Sequence, residues 1–127
     1  MKTTLQEDSN KAILASQNLE NLVSILQLAY SGELAAALAY NGHWHSVKND
    51  SDRERILQIE NEEWHHRELV GAMLIQLGKT PDPDREIRAR RMGRVLAFLC
   101  NVMGWLAPMY AAGKLESRNI REYELAA

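Results

Sequence analysis

The sequence predicts an all-α fold of three to four helices in one domain, and three observations predict it. Proline is absent before Pro81, and Ala, Leu, Gln and Glu dominate up to that point, which favours helix throughout. Apolar residues recur every three or four positions over long stretches, the spacing that lines one side of a helix. No run alternates β-branched and polar residues as a half-buried strand would. At 127 residues the chain is a single domain over 1–127. Apolar residues at 46% and charged residues at 25% exclude wholesale disorder.

Ser9 or Asn10 caps a first stretch through KAILASQNLE. Leu19, Leu22, Leu26, Ala29, Glu33, Ala36, Tyr40 and Trp44 then form one stripe, so the first helix runs to about Trp44 with a break near Ser16 to Asn18. NGHWHSVKNDSD is rich in turn formers and reads as a connection.

The second helix opens with Ser51 and Glu54 at capping-box spacing. It closes at Gly78, which suits the left-handed conformation just past a helix end. Ile56, Ile59, Glu63, His66, Val70, Met73 and Leu77 form its stripe. GKTPDPD is a turn, and Asp82 before Pro83 begins a third helix. That helix carries Arg85, Arg88, Arg90, Arg91 and Arg94, then an apolar run from Val95 to Gly113. LESRNIREYELAA reads as the opening of a fourth.

Glu63 and His66 are one turn apart and leave the helix on the same side. Glu33 lies mid-helix on the preceding, antiparallel neighbour, so the three groups can meet at one height. A carboxylate among apolar residues is costly as a bare ion. Two such carboxylates facing each other repel, and a shared cation offsets both costs. Carboxylate and imidazole suit iron or manganese. The competing pair Glu62 and His65 shares its face with Arg55 and Gln58, which belong in water, and His43, His45 and His65 read as surface residues. The bland alternative is a metal-free all-α interaction module in which Glu33 and Glu63 pair with arginines.

AYSGELAAALAY, followed after some twenty residues by ENEEWHHRELVGAML and later by NVMGWLAPMYAAGK, resembles the first half to two-thirds of the demethoxyubiquinone hydroxylase family of ferritin-like di-iron proteins. The resemblance implies an antiparallel ferritin-like bundle, incomplete in one chain, holding two irons, with manganese as the other metal these ligands accept. It implies Glu33 as a terminal ligand, Glu63 as a bridging one and His66 as a terminal nitrogen ligand. A further ligand falls in REYE, where Glu122 fits slightly better than Glu124. These two stand about 200° apart on a helix, so one alone points inward.

The family's fourth helix, with a second Glu-x-x-His, is missing, while a full site takes about four carboxylates and two histidines. Either the chain is truncated before that helix, or a homodimer or higher homo-oligomer pools two half-sites. Encapsulated ferritins resemble the second arrangement and are the runner-up family. The expected activity is dioxygen activation by a quinone-ring monooxygenase of ubiquinone biosynthesis. The alternative is a ferroxidase for iron storage, with Asp50, Asp52 and Glu54 as an acidic entry path.

The formal charge of −2 points to no nucleic acid. The arginine group and apolar run across 85–113 suit peripheral contact with anionic headgroups, or packing against the first two helices. A polar N-terminus without a signal-peptide core and a lone Cys100 give the cytoplasm as the expected compartment, with membrane association on its cytoplasmic face.

Overall fold

A computed structural model describes residues 2–103. Three helices occupy this span: α1 (Lys2–Ser46), α2 (Asp50–Gln76) and α3 (Pro83–Met103). Both α2 and α3 pack on α1. Contacts fix their directions. Arg67 of α2 reaches Tyr30 and Glu60 reaches Asn41, so α2 is antiparallel to α1. Glu86 of α3 meets Ser31, and Ala97 meets Gly42, so α3 runs parallel to α1.

The central position of α1 explains its composition. Leu34, Ala35, Ala36 and Ala37 are buried in succession, which a helix covered on one side alone does not allow. Alanine and glycine let the axes approach closely. A Cβ at Gly93 would stand 2.7 Å from Leu38 Cβ, and one at Gly42 would overlap Ala97. Val23, Leu26 and Ala29 of α1 form one core with Val70 and Leu74 of α2. Leu34 and Ala35 form a second with Ala89 of α3.

The helix ends show local chemistry. Asn49 caps α2, its Oδ1 accepting from the amides of Ser51 and Asp52 at 2.9 and 3.3 Å. The expected Ser51–Glu54 box is therefore displaced: Asn49 reaches two free amides first. Gly78 (φ 69°) closes the same helix as expected. Its amide bonds to Ile75 O and that of Lys79 to Leu74 O, both at 2.9 Å, the paired arrangement of a Schellman end. Asp82 Oδ1 accepts from the amides of Asp84 and Arg85, with Pro83 at the first helical position.

Three expectations about α1 are corrected. It starts at Lys2 rather than Ser9 or Asn10, it has no break at Ser16 to Asn18, and it continues to Ser46, leaving a connection of 47–49. No proline or glycine lies between Lys2 and Tyr30, and Ser, Gln and Asn lower helix propensity by a few tenths of a kcal/mol each, too little to interrupt it. The 27 residues of α2 pair with the later part of α1. Residues 3–22 extend past that pairing and are exposed along their length. By length and apolarity α1 is the one described helix that could cross a membrane, and half of that stretch is buried in the protein.

Candidate metal centre

Glu33 projects from the last third of α1, not from its middle as expected, because the helix begins at Lys2, and Glu63 and His66 project from α2. One ligand atom from each lies within 4.8 Å of the others. The three residues expected to converge do so. They do not converge in a dry interior: both glutamates are half-buried and His66 is exposed.

The reason lies in the register of α2. Its buried line runs through Glu60, Val70 and Leu74, with Arg67 half-buried among them. Glu63 sits on this line, whereas His66 is about 60° round the helix from Glu63 and on the far side from Arg67. Met73 follows His66 outward and is 50% exposed. The group is thus a half-shell, closed by α1 and open to solvent at the imidazole.

Electrostatics at the centre follow from this partial burial. The Glu63 carboxyl is pushed up to about 8, first by loss of water, then by its hydrogen bond to Glu33 and by repulsion from the Glu33 charge. Glu62 adds to the rise and His66 opposes it. At neutral pH Glu63 therefore keeps its proton and no second negative charge meets Glu33 there.

These three groups could hold one divalent cation. Donors at about 2.1 Å in a tetrahedral set stand about 3.4 Å from one another, so side chains now within 4.8 Å of each other would have to draw in by up to about 1.4 Å to share one ion. Two carboxylate oxygens and one imidazole nitrogen match iron or manganese in hardness and leave positions open. Glu122 and Glu124 lie outside the described residues.

Comparison with known proteins adds no relative. No protein-family model, curated protein or solved structure matches the chain.

Two polar clusters flank the centre, and neither was anticipated. On one side the Glu60 carboxylate, 7% exposed, accepts from Asn41 Nδ2 (2.9 Å), Trp44 Nε1 (2.8 Å) and Trp64 Nε1 (2.8 Å). On the other, Arg67 pairs with Glu86, donates to Tyr30 O at 3.0 Å and lies 3.8 Å over the Tyr30 ring. The signal was present: residues 56, 60, 63, 67, 70 and 74 step by three and four, and that line carries the burial better than the one through His66 and Met73.

The remaining histidines divide. His45 and His65 are exposed as expected, and so is Glu62. His43 is buried, at 3% exposed, a correction to its surface assignment. Burial lowers its imidazole below the usual range.

Proposed function

We propose that this chain supplies half of an iron–carboxylate centre that reacts with dioxygen, with Glu33, Glu63 and His66 as its ligands. The observation that carries the reading is the approach of these three donors within 4.8 Å of one another across two helices. When bound, iron in such a site supplies dioxygen activation or oxidation of ferrous ions. The chain's part is to present two oxygens and one nitrogen from α1 and α2 and to give up the proton held on Glu63 when a cation enters.

A second copy is the proposed source of the missing ligands. Leu69 and Met73 flank His66 on the open side and are 49% and 50% exposed. Apolar surface around an incomplete half-shell suits a two-fold partner. Two chains bring four carboxylates and two imidazoles, the usual complement of a di-iron bundle.

The finer activity proposed is hydroxylation of a quinone ring at a membrane surface, and α3 supports it. Leu96 and Cys100 pack inward, but Val95, Phe98 and Val102 are 57%, 64% and 63% exposed beside the exposed Arg88, Arg91 and Arg94. An apolar face with flanking cations suits anionic headgroups. The second reading is iron oxidation for storage, favoured by exposed His66, which gives hydrated ions direct access. Asp50, Asp52 and Glu54 are exposed but sit at least nine residues before Glu63, about 13 Å along the helix, so they do not line the centre.

Anaerobic ferrous titration followed by air tests the reading. Wild type should bind iron and Glu63→Ala should not. Oxygen uptake that needs a reductant and a quinone supports hydroxylation; repeated ferrous oxidation without either supports storage. A wild-type chain that binds no iron, with Glu63→Ala indistinguishable from it, would leave a metal-free helical module; iron binding that persists in Glu63→Ala would place the metal elsewhere.

A further inference from the structure

We infer that Glu60 is the positioning residue of this centre, setting the axial register of α2 on α1 so that Glu63 arrives opposite Glu33. The inference rests on the metal-centre reading for its purpose, but its geometric content is independent of any metal.

Glu60 is the one charged side chain among the three most buried residues of α2. Every hydrogen bond it makes comes from a neutral N–H: Asn41, Trp44 and Trp64. A buried acid held this way is not the cheapest way to fill space, since well-packed apolar groups of similar volume commonly do as well or better. What an acid adds is direction. Its oxygens must meet their donors at hydrogen-bond distance and angle, a demand that an apolar side chain does not make.

The division of donors matters. Oε1 takes both bonds from α1, Asn41 at 2.9 Å and Trp44 at 2.8 Å, while Oε2 takes the bond from Trp64 on its own helix. Asn41 and Trp44 are three residues apart and straddle one turn of α1. A single oxygen between them marks one height along that helix. A slip of α2 by one residue, about 1.5 Å, would take Oε1 out of reach of one donor or the other.

Glu63 is one turn beyond Glu60 on the same face, and Glu33 is two turns from Asn41 on α1. The two spacings are unequal, about 4.5 and 12 Å, and the side chains span the difference to bring their ligand atoms within 4.8 Å; because each helix is rigid, fixing Glu60 against Asn41 and Trp44 holds that reach constant. Arg67, one turn beyond Glu63, donates to Tyr30 O and is the matching anchor on the opposite side. The guanidinium also bonds Glu86, so its geometry is shared with α3. Glu60 serves the α1–α2 pair alone.

The test uses two substitutions with opposite expectations. Glu60→Gln keeps an oxygen for Asn41 and Trp44 and loses only the Trp64 bond, so register should survive. Glu60→Met fills the space without an acceptor. Proton NMR of the metal-free protein reads register through the Glu33–Glu63 side-chain contact and the contact of Gly71 with the Tyr30 ring. Both contacts should persist in Glu60→Gln, with only the Trp64 indole proton shifting. Both should weaken in Glu60→Met, and ferrous affinity should fall about tenfold or more, the usual loss when support beyond the ligands is removed. Leu74→Ala, destabilised without loss of an acceptor, should keep wild-type affinity while folded. If Glu60→Met does not fold, Asn41→Leu with Trp44→Phe removes the same two bonds from the α1 side. Wild-type contacts in Glu60→Met or in that double variant would overturn the assignment. Intact register effects in a protein that binds no iron would sink the metal reading and leave the positioning role standing.

Discussion

The guanidinium of Arg67 meets the carboxylate of Glu86 through two hydrogen bonds, of 3.2 and 2.8 Å, joining α2 to α3. Both side chains are largely buried, at 15% and 17% exposed, and Ser31 Oγ and Tyr30 O complete the cluster. Removing one member leaves the other charged and short of water. Arg67→Met is expected to cost about 3 kcal/mol, as for other buried pairs that lose one partner. Glu86→Gln keeps the shape and should cost about 1–2 kcal/mol. Urea unfolding of both variants measures the difference, and equal losses would show that charge is not the determinant.

Gly42 is the tightest point of the α1–α3 contact. Alanine ordinarily stabilises a helix interior by about 1 kcal/mol over glycine. At this position its Cβ would overlap Ala97, backbone included, so Gly42→Ala should instead destabilise by about 1–3 kcal/mol. Gly71→Ala meets only the edge of the Tyr30 ring, at 3.0 Å, and should be nearly neutral. Melting temperatures of the two variants decide the point.

Glu63 gives the metal-free protein a pH dependence of known sign. Its folded carboxyl is raised from 4.5 to about 8, so the folded chain holds this proton more tightly than the unfolded chain. The resulting stabilisation is fully present below about 4.5 and is lost as pH rises through about 8. Thermal melts from pH 5 to 9 should show this decline, and Glu63→Gln should flatten it. Because a cation replaces that proton, ferrous binding at pH 7 should release about one proton. Titration calorimetry in buffers of different ionisation enthalpy reads the release directly.

The outward face of α3 should bind anionic vesicles at low salt and release them as salt rises, since exposed arginines supply the attraction. Phe98→Glu combined with Arg91→Glu should abolish co-sedimentation. Retention of the variant on vesicles would assign membrane contact to another surface.

Much of the fold was legible in the sequence because helix punctuation is local. Gly78 and Asp82–Pro83 act through their own backbones, and both did what their chemistry dictates. Asn49 was less legible because four capping residue types, Asn49, Asp50, Ser51 and Asp52, stand in a row and the side chain reaching the free amides first prevails. The exposure of His66 was hidden by a difference of one position. Stripes through residues 63, 66, 70 and 73 and through 63, 67, 70 and 74 both satisfy helical spacing, and only contact with α1 selects the second. The half-buried Arg67 concealed that choice, since its ion pair with Glu86 is a contact distant in sequence.

Diffraction from manganese-soaked crystals, recorded where manganese scatters anomalously, is the most direct trial of the metal centre. An anomalous peak within coordination distance of Glu33, Glu63 and His66, absent in Glu63→Ala crystals, is the predicted result. Full occupancy elsewhere with no density among these three side chains, or a peak that survives Glu63→Ala unchanged, would contradict it.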